Sequence, residues 1–160
     1  MNNLGFFKAC MNNEFNATLA LVKSLPEDNM NYAPHPVNRS AYQITEHILA
    51  HLLDMKMIAE KSICDETLNY DFKGTDDAAQ KLEMLWKACS ETLENCTEDT
   101  WEKEQVELTI SGKPFVTLPR FQMMWFFFFD LIHHRGQLSS YVRPMGGKNP
   151  AIYGYSADTQ

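Results

Sequence analysis

The sequence predicts an all-α protein: a four-helix bundle with a short β-hairpin or extended excursion between the third and fourth helices. Three observations carry this. Four stretches of roughly twenty residues repeat their apolar positions at helical spacing. One of them, entered through Pro119, contains the run Met123–Phe129, which is apolar on every side and belongs at the centre of a fold. Between the third and fourth stretches, residues 101–117 alternate apolar and polar instead. At 160 residues the chain reads as a single domain, 1–160, long enough to bury a real core.

The first helix is expected from about Asn3 to Ser24, with Leu4, Phe7, Met11, Phe15 or Glu14, Thr18, Val22 and Leu25 on one stripe and Pro26 ending it. Residues 26–39 form a loop; Pro34 and Pro36 bias their predecessors toward extended geometry and leave His35 exposed. Ser40 and Gln43 stand at capping-box spacing and open a second helix, expected to reach about Cys64. Its core stripe is Ile44, Ile48, Leu52, Met55 and Ile58, with His47 and His51 one turn apart at the edge of that stripe. A loop over 65–75 leads to a third helix, 76–96, whose apolar face holds Leu82, Leu85, Trp86, Cys89 and Leu93 without a titratable interruption. In the hairpin, Val106, Leu108 and Ile110 alternate with polar neighbours before a turn at Ser111–Lys113. The fourth helix is expected from Pro119 to the Gly146–Gly147 stop. The tail after it, with Pro150, Gly154 and two tyrosines, is expected to pack over a bundle end.

Charge and composition exclude several functions. A net charge of −7 without a basic cluster argues against a nucleic-acid surface. The aromatic run is interrupted by Asp130 well short of the ~20 residues that a membrane span needs. The first residues lack the pattern of a signal peptide. Cys10, Cys64, Cys89 and Cys96 form no C-x-x-C motif, and reduced, buried thiols in a cytoplasmic protein are expected.

The chemistry concentrates on the fourth helix. Met123, Phe126, Phe127, Asp130, His134, Gln137 and Tyr141 fall on one stripe that starts apolar and turns polar halfway. Asp130 and His134 project side by side, as do His47 and His51. His47, with or without His51, together with Asp130 and His134 makes a ligand set suited to Zn, Ni, Fe or Mn. The competing expectation is that these groups only hydrogen-bond to one another. His133 is a further candidate, pointing about 100° away from His134. The phenylalanines 126–129 are expected in the core and at a subunit interface, and Arg135 is expected to pair with an acid on a neighbouring helix or to clamp an anionic substrate.

The run DLIHHRGQLSSYVRPMGG (130–147), followed by PAIYGYSAD (150–158) and preceded by HPVNRS and EHI (35–48), resembles the DinB family. These are the small DNA-damage-inducible-type proteins, not the polymerase that shares the name. The resemblance implies a four-helix bundle holding one divalent metal through three residues, one on the second helix and two, four apart, on the fourth. On this sequence they are His47, Asp130 and His134, with Asp130 standing where the family has histidine. His51 and His133 then fall behind the ligands, and Arg135, Gln137, Tyr141, Phe126 and Phe127 around the pocket. The resemblance further implies a metal-dependent transferase using a low-molecular-weight thiol, or a hydrolase, acting on a small molecule. Arg135 or Arg143 would bind a carboxylate of the thiol, and the protein would be a homodimer; read from the residues, Tyr153 and Tyr155 either close the pocket mouth or merely pack there. A stress-response protein that binds metal or a small molecule without turnover, or a purely structural dimer, are the alternatives.

Overall fold

A computed structural model of the chain describes residues 1–159. Its four long helices are α1 (Asn3–Lys23), α2 (Ala41–Glu60), α3 (Gly74–Glu94) and α5 (Arg120–Val142). A short helix, α4 (Glu98–Lys103), a 3-10 turn over Glu27–Asn29 and three strands, β1 (Ile63–Asp65), β2 (Gln105–Ile110) and β3 (Lys113–Pro119), complete the regular structure.

In the bundle, α2 packs against α3 and α5, and α1 packs against the same two helices. Consecutive helices α1 and α2 are therefore diagonal, and residues 24–40 carry the chain across one end. That loop is tied down where Tyr42 N–H donates to Met30 O at 2.8 Å and Ala41 N–H to Tyr32 O at 2.9 Å. The helix starts are chemically specified. Asn2 accepts from Gly5 N–H at 2.8 Å, and Ser40 and Gln43 form the expected reciprocal capping box.

The fold departs from expectation at three places. First, α2 stops at Glu60 rather than near Cys64. Ile63–Asp65 is a strand that pairs parallel with β2, with Cys64 opposite Leu108. Glu107 N–H donates to Ser62 O and Glu66 N–H to Thr109 O, both at 2.8 Å, and these bonds replace helical ones. Second, Thr97 and Thr100 cap an unexpected turn, α4, that buries Trp101 against Phe7, ring centroids 5.1 Å apart. Third, α5 ends at Val142. Gly146, at φ +93°, turns the chain, with Gly147 N–H donating back to Val142 O at 2.9 Å.

The hairpin lies where expected, β2 and β3 antiparallel, with Ser111 (φ +52°) and Gly112 (φ +71°) forming its two-residue turn. Pro119 ends β3 and leads directly into α5, which the hairpin thereby aims through the core. The tail is held by Asn149 Nδ2–H donating to Ser139 O at 2.9 Å and by Arg143 paired with Asp158 at 2.9 Å. Among the described residues no helix is long and apolar enough to cross a membrane.

Candidate metal centre

α2 and α5 lie side by side, and each turns two titratable groups toward the other. His47 and His51 are one turn apart on α2, as are Asp130 and His134 on α5. One ligand atom from each of the four lies within 4.8 Å of those of the others. Asp130 Oδ2 is the hub: His51 Nε2 stands at 2.7 Å, His134 Nε2 at 3.2 Å and His47 Nε2 at 3.7 Å. His51 and His134 are buried, while the Asp130 side chain is 37% exposed and marks the open side.

His51, expected behind the ligands, lies within the cluster itself. It comes closest to Asp130, and it lies deeper than His47. Its other ring nitrogen faces Asp54, whose Oδ2 is 3.9 Å from Nδ1. Asp54 is fully buried, and both of its oxygens accept from Thr67 N–H, at 3.0 and 3.2 Å. Nδ1 of His51 makes no hydrogen bond, and Asp54 acts on it as a nearby charge. A carboxylate behind a ring whose far nitrogen points at a cluster of donors is the arrangement that orients a metal-ligating histidine.

His134 is oriented differently. Its Nδ1 faces Gln137 Oε1 at 2.8 Å and its Nε2 faces Asp130. Gln137 Nε2 in turn lies 3.0 Å from His133 Nε2. His133 itself is exposed and outside the cluster. Three ring nitrogens and a carboxylate oxygen that converge within 4.8 Å make a donor set that can hold a divalent metal ion.

The electrostatics are those of a charge hub. Hydrogen bonds from His134, His47 and His51 hold the Asp130 carboxyl far below the usual carboxylate range. Burial pushes His47 down, against the pull of Asp130. At His51 burial also pulls downward, but hydrogen bonding with Asp130 and the attraction of Asp54 outweigh it, and the ring ends above its ordinary value. Burial likewise raises Glu66, a group close enough to feel His51, Asp54 and Asp130.

The other expected residues take various places. Phe127 is buried and packs edge-on against the His51 ring at 4.9 Å. Phe126, expected on the buried stripe, is 53% exposed; it sits about 100° from Phe127 and faces outward. Phe128 is in the core and Phe129 is exposed. Tyr141 is buried beside Tyr32 and donates to Arg39 O at 3.2 Å, away from the four-residue cluster. Arg135 is no clamp: it is buried and bonded to Glu14, Thr18 and the Tyr153 hydroxyl. Tyr153 thus closes the Glu14–Arg135 pair, Tyr155 is almost fully exposed, and Arg143 is engaged by Asp158. Asp54 and Glu66 were not among the expected residues. Asp54 had a signal, since it lies three residues after His51 and interrupts an apolar stripe.

A family model described as DinB family matches residues 2–159. The fold is similar to the crystal structure of a DinB-like protein, YjoA of Bacillus subtilis. That protein is 19% identical, the match covers 92% of this chain and 96% of that one, and the TM-score is 0.73. No curated protein matches the sequence.

Proposed function

This chain belongs to the DinB family, and from that premise we propose that His47, His51, Asp130 and His134 hold one divalent transition metal for nucleophile activation. The reaction class is transfer by a low-molecular-weight thiol, or hydrolysis, on a small-molecule substrate. One observation carries the reading: three imidazole nitrogens and a carboxylate oxygen, drawn from two helices, converge within 4.8 Å beside an open side. An ion bound there supplies Lewis acidity, which brings the pKa of water or a thiol toward neutrality. The protein's own contribution is to hold the donors. Asp54 stands behind His51, Gln137 orients His134, and Phe127 walls the His51 ring with an apolar face. Asp130 replaces a neutral donor by a charged, harder one, which favours Fe, Mn or Zn over softer ions.

A second reading, metal binding without turnover, is favoured by the presence of His51 in the cluster. Four protein donors close a tetrahedral ion, whereas a five- or six-coordinate ion keeps room for an exogenous ligand. Cobalt substitution separates the two. The enzyme reading predicts that the visible bands of the cobalt protein shift when a small thiol is added and that a thiolate absorption appears. Bands that ignore thiols and azide alike would leave the binding-only reading.

A further inference from the structure

We propose that Arg39 and Glu66 form a charge-matched rim at the cluster, and that the small molecule taken there carries an amino-acid-like head, with a carboxylate for Arg39 and an ammonium for Glu66. This rests on the reading of the cluster as an open metal site and names the substrate class of that site. Neither residue lies on the helices that carry the cluster. Arg39 is in the loop before α2, and Glu66 follows β1.

Arg39 stands out by elimination. The chain has four arginines. Arg120 pairs with Glu104, Arg135 with Glu14 and Arg143 with Asp158. Arg39 is exposed and has no carboxylate partner among the described residues. Its backbone is fixed all the same. Arg39 O accepts from the buried Tyr141 hydroxyl at 3.2 Å, and Ser40, the next residue, caps α2. The charge of Arg39 reaches His47, where it adds to the burial that pushes that ring down. A guanidinium fork held near the cluster without a counter-ion matches a ligand carboxylate.

Glu66 is the complement. It is half-buried, and among the described residues its carboxylate accepts no hydrogen bond and joins no ion pair. Burial pushes its carboxyl up, and the attraction of His51 and Arg39 offsets this only in part. A partly buried carboxylate without a donor is costly, and the N–H groups of an ammonium satisfy it. Its backbone is also held: Glu66 N–H donates to Thr109 O at 2.8 Å, and Thr67 N–H donates to both oxygens of Asp54, the carboxylate behind His51. Arg39 and Glu66 feel each other's charge without pairing. Separate anchors keep them apart, one on α5 and the other on β2 and α2. A lone anion or a lone cation meets one attraction and one repulsion there, whereas a head with both charges meets two attractions.

Titration of the cobalt-substituted full chain with four small thiols, read from the thiolate absorption, tests this. Cysteine carries both charges, mercaptopropionate only the carboxylate, cysteamine only the ammonium, and mercaptoethanol neither. Wild type is expected to bind cysteine best. Arg39→Gln should weaken cysteine and mercaptopropionate about tenfold, the lower end for a charge-assisted hydrogen bond. Glu66→Gln should weaken cysteine and cysteamine by as much. Chelation of the ion by cysteine alone depends on neither side chain and would leave the three proteins alike. Elemental analysis and thermal melts check that each variant holds its cobalt and folds. Equal affinities for cysteine in all three proteins would overturn the rim and leave the open metal site standing. Cobalt bands that ignore all four thiols would overturn both. A variant that loses mercaptoethanol along with the charged thiols, or loses its cobalt, would make that residue a support of the cluster and overturn its place on the rim.

Discussion

Replacing Asp54 by Asn isolates the charge behind His51. The amide keeps the volume of a fully buried side chain and one oxygen for Thr67 N–H, so packing is nearly conserved. What disappears is a negative charge 3.9 Å from His51 Nδ1, a buried nitrogen that makes no hydrogen bond. Removing such a partner from behind a metal ligand costs roughly 10–100-fold in affinity, or about 1.4–2.7 kcal/mol. The pH dependence changes too. His51 must be neutral to ligate, and although burial alone would lower its pKa, Asp130 and Asp54 raise it above 6.5. Wild-type affinity therefore falls as the pH drops through a value above 6.5, and in Asp54→Asn that fall moves to lower pH. In the metal-free protein the same raised pKa gives stability that is fully present below 6.5 and is lost as the pH rises through the folded-state value. Competition titration with a chromophoric chelator at about pH 6 and about pH 8 brackets the histidine range and reads the affinities, and thermal melts of the metal-free proteins read the stability. An Asp54→Asn variant that melts normally and binds Zn as tightly as wild type at both pH values would refute the positioning role of Asp54.

Other consequences concern the scaffold. Glu14→Gln strips the counter-charge from buried Arg135, which should cost about 3–5 kcal/mol and lower Tm by at least ~6 °C; trypsin should then cut sooner at Lys148 in the tail. Trp101→Ala empties a fully buried site between α4 and Phe7, with an expected loss of about 3–5 kcal/mol in urea unfolding. Burial raises the Cys64 and Cys89 thiols to about 12, so iodoacetamide at mildly alkaline pH should label Cys10 and Cys96 first; early labelling of Cys64 or Cys89 in peptide maps would contradict their burial.

The four long helices and the hairpin were legible because each carries its signal locally, in an apolar period, a cap or a turn pair. β1 was not. Three residues cannot display a period, and Ile63–Asp65 becomes a strand only because β2, more than forty residues later, supplies its hydrogen bonds. α4 is six residues long, too short for a periodic window, although its Thr97–Thr100 cap was there to be read. At the centre, Asp130 and His134 could be paired from their four-residue spacing alone. The order of His47 and His51 could not, since both sit at the edge of the α2 stripe. Which one lies deeper depends on how α2 is rotated against α5, and tertiary packing sets that. Arg135 illustrates the same limit: its partner Glu14 is on α1, and the sequence indicates an acid on some neighbouring helix without naming it.

The most direct test of the central claim is elemental analysis, by inductively coupled plasma mass spectrometry, of tag-free protein purified without chelator, together with His51→Ala and His134→Ala. The account predicts one divalent transition metal per wild-type chain and its loss in both variants, because these rings hold the nitrogens nearest Asp130. Wild-type protein that carries no metal and takes up none of Zn, Ni, Fe or Mn would contradict it, and would leave the three histidines and Asp130 as a hydrogen-bonded network only.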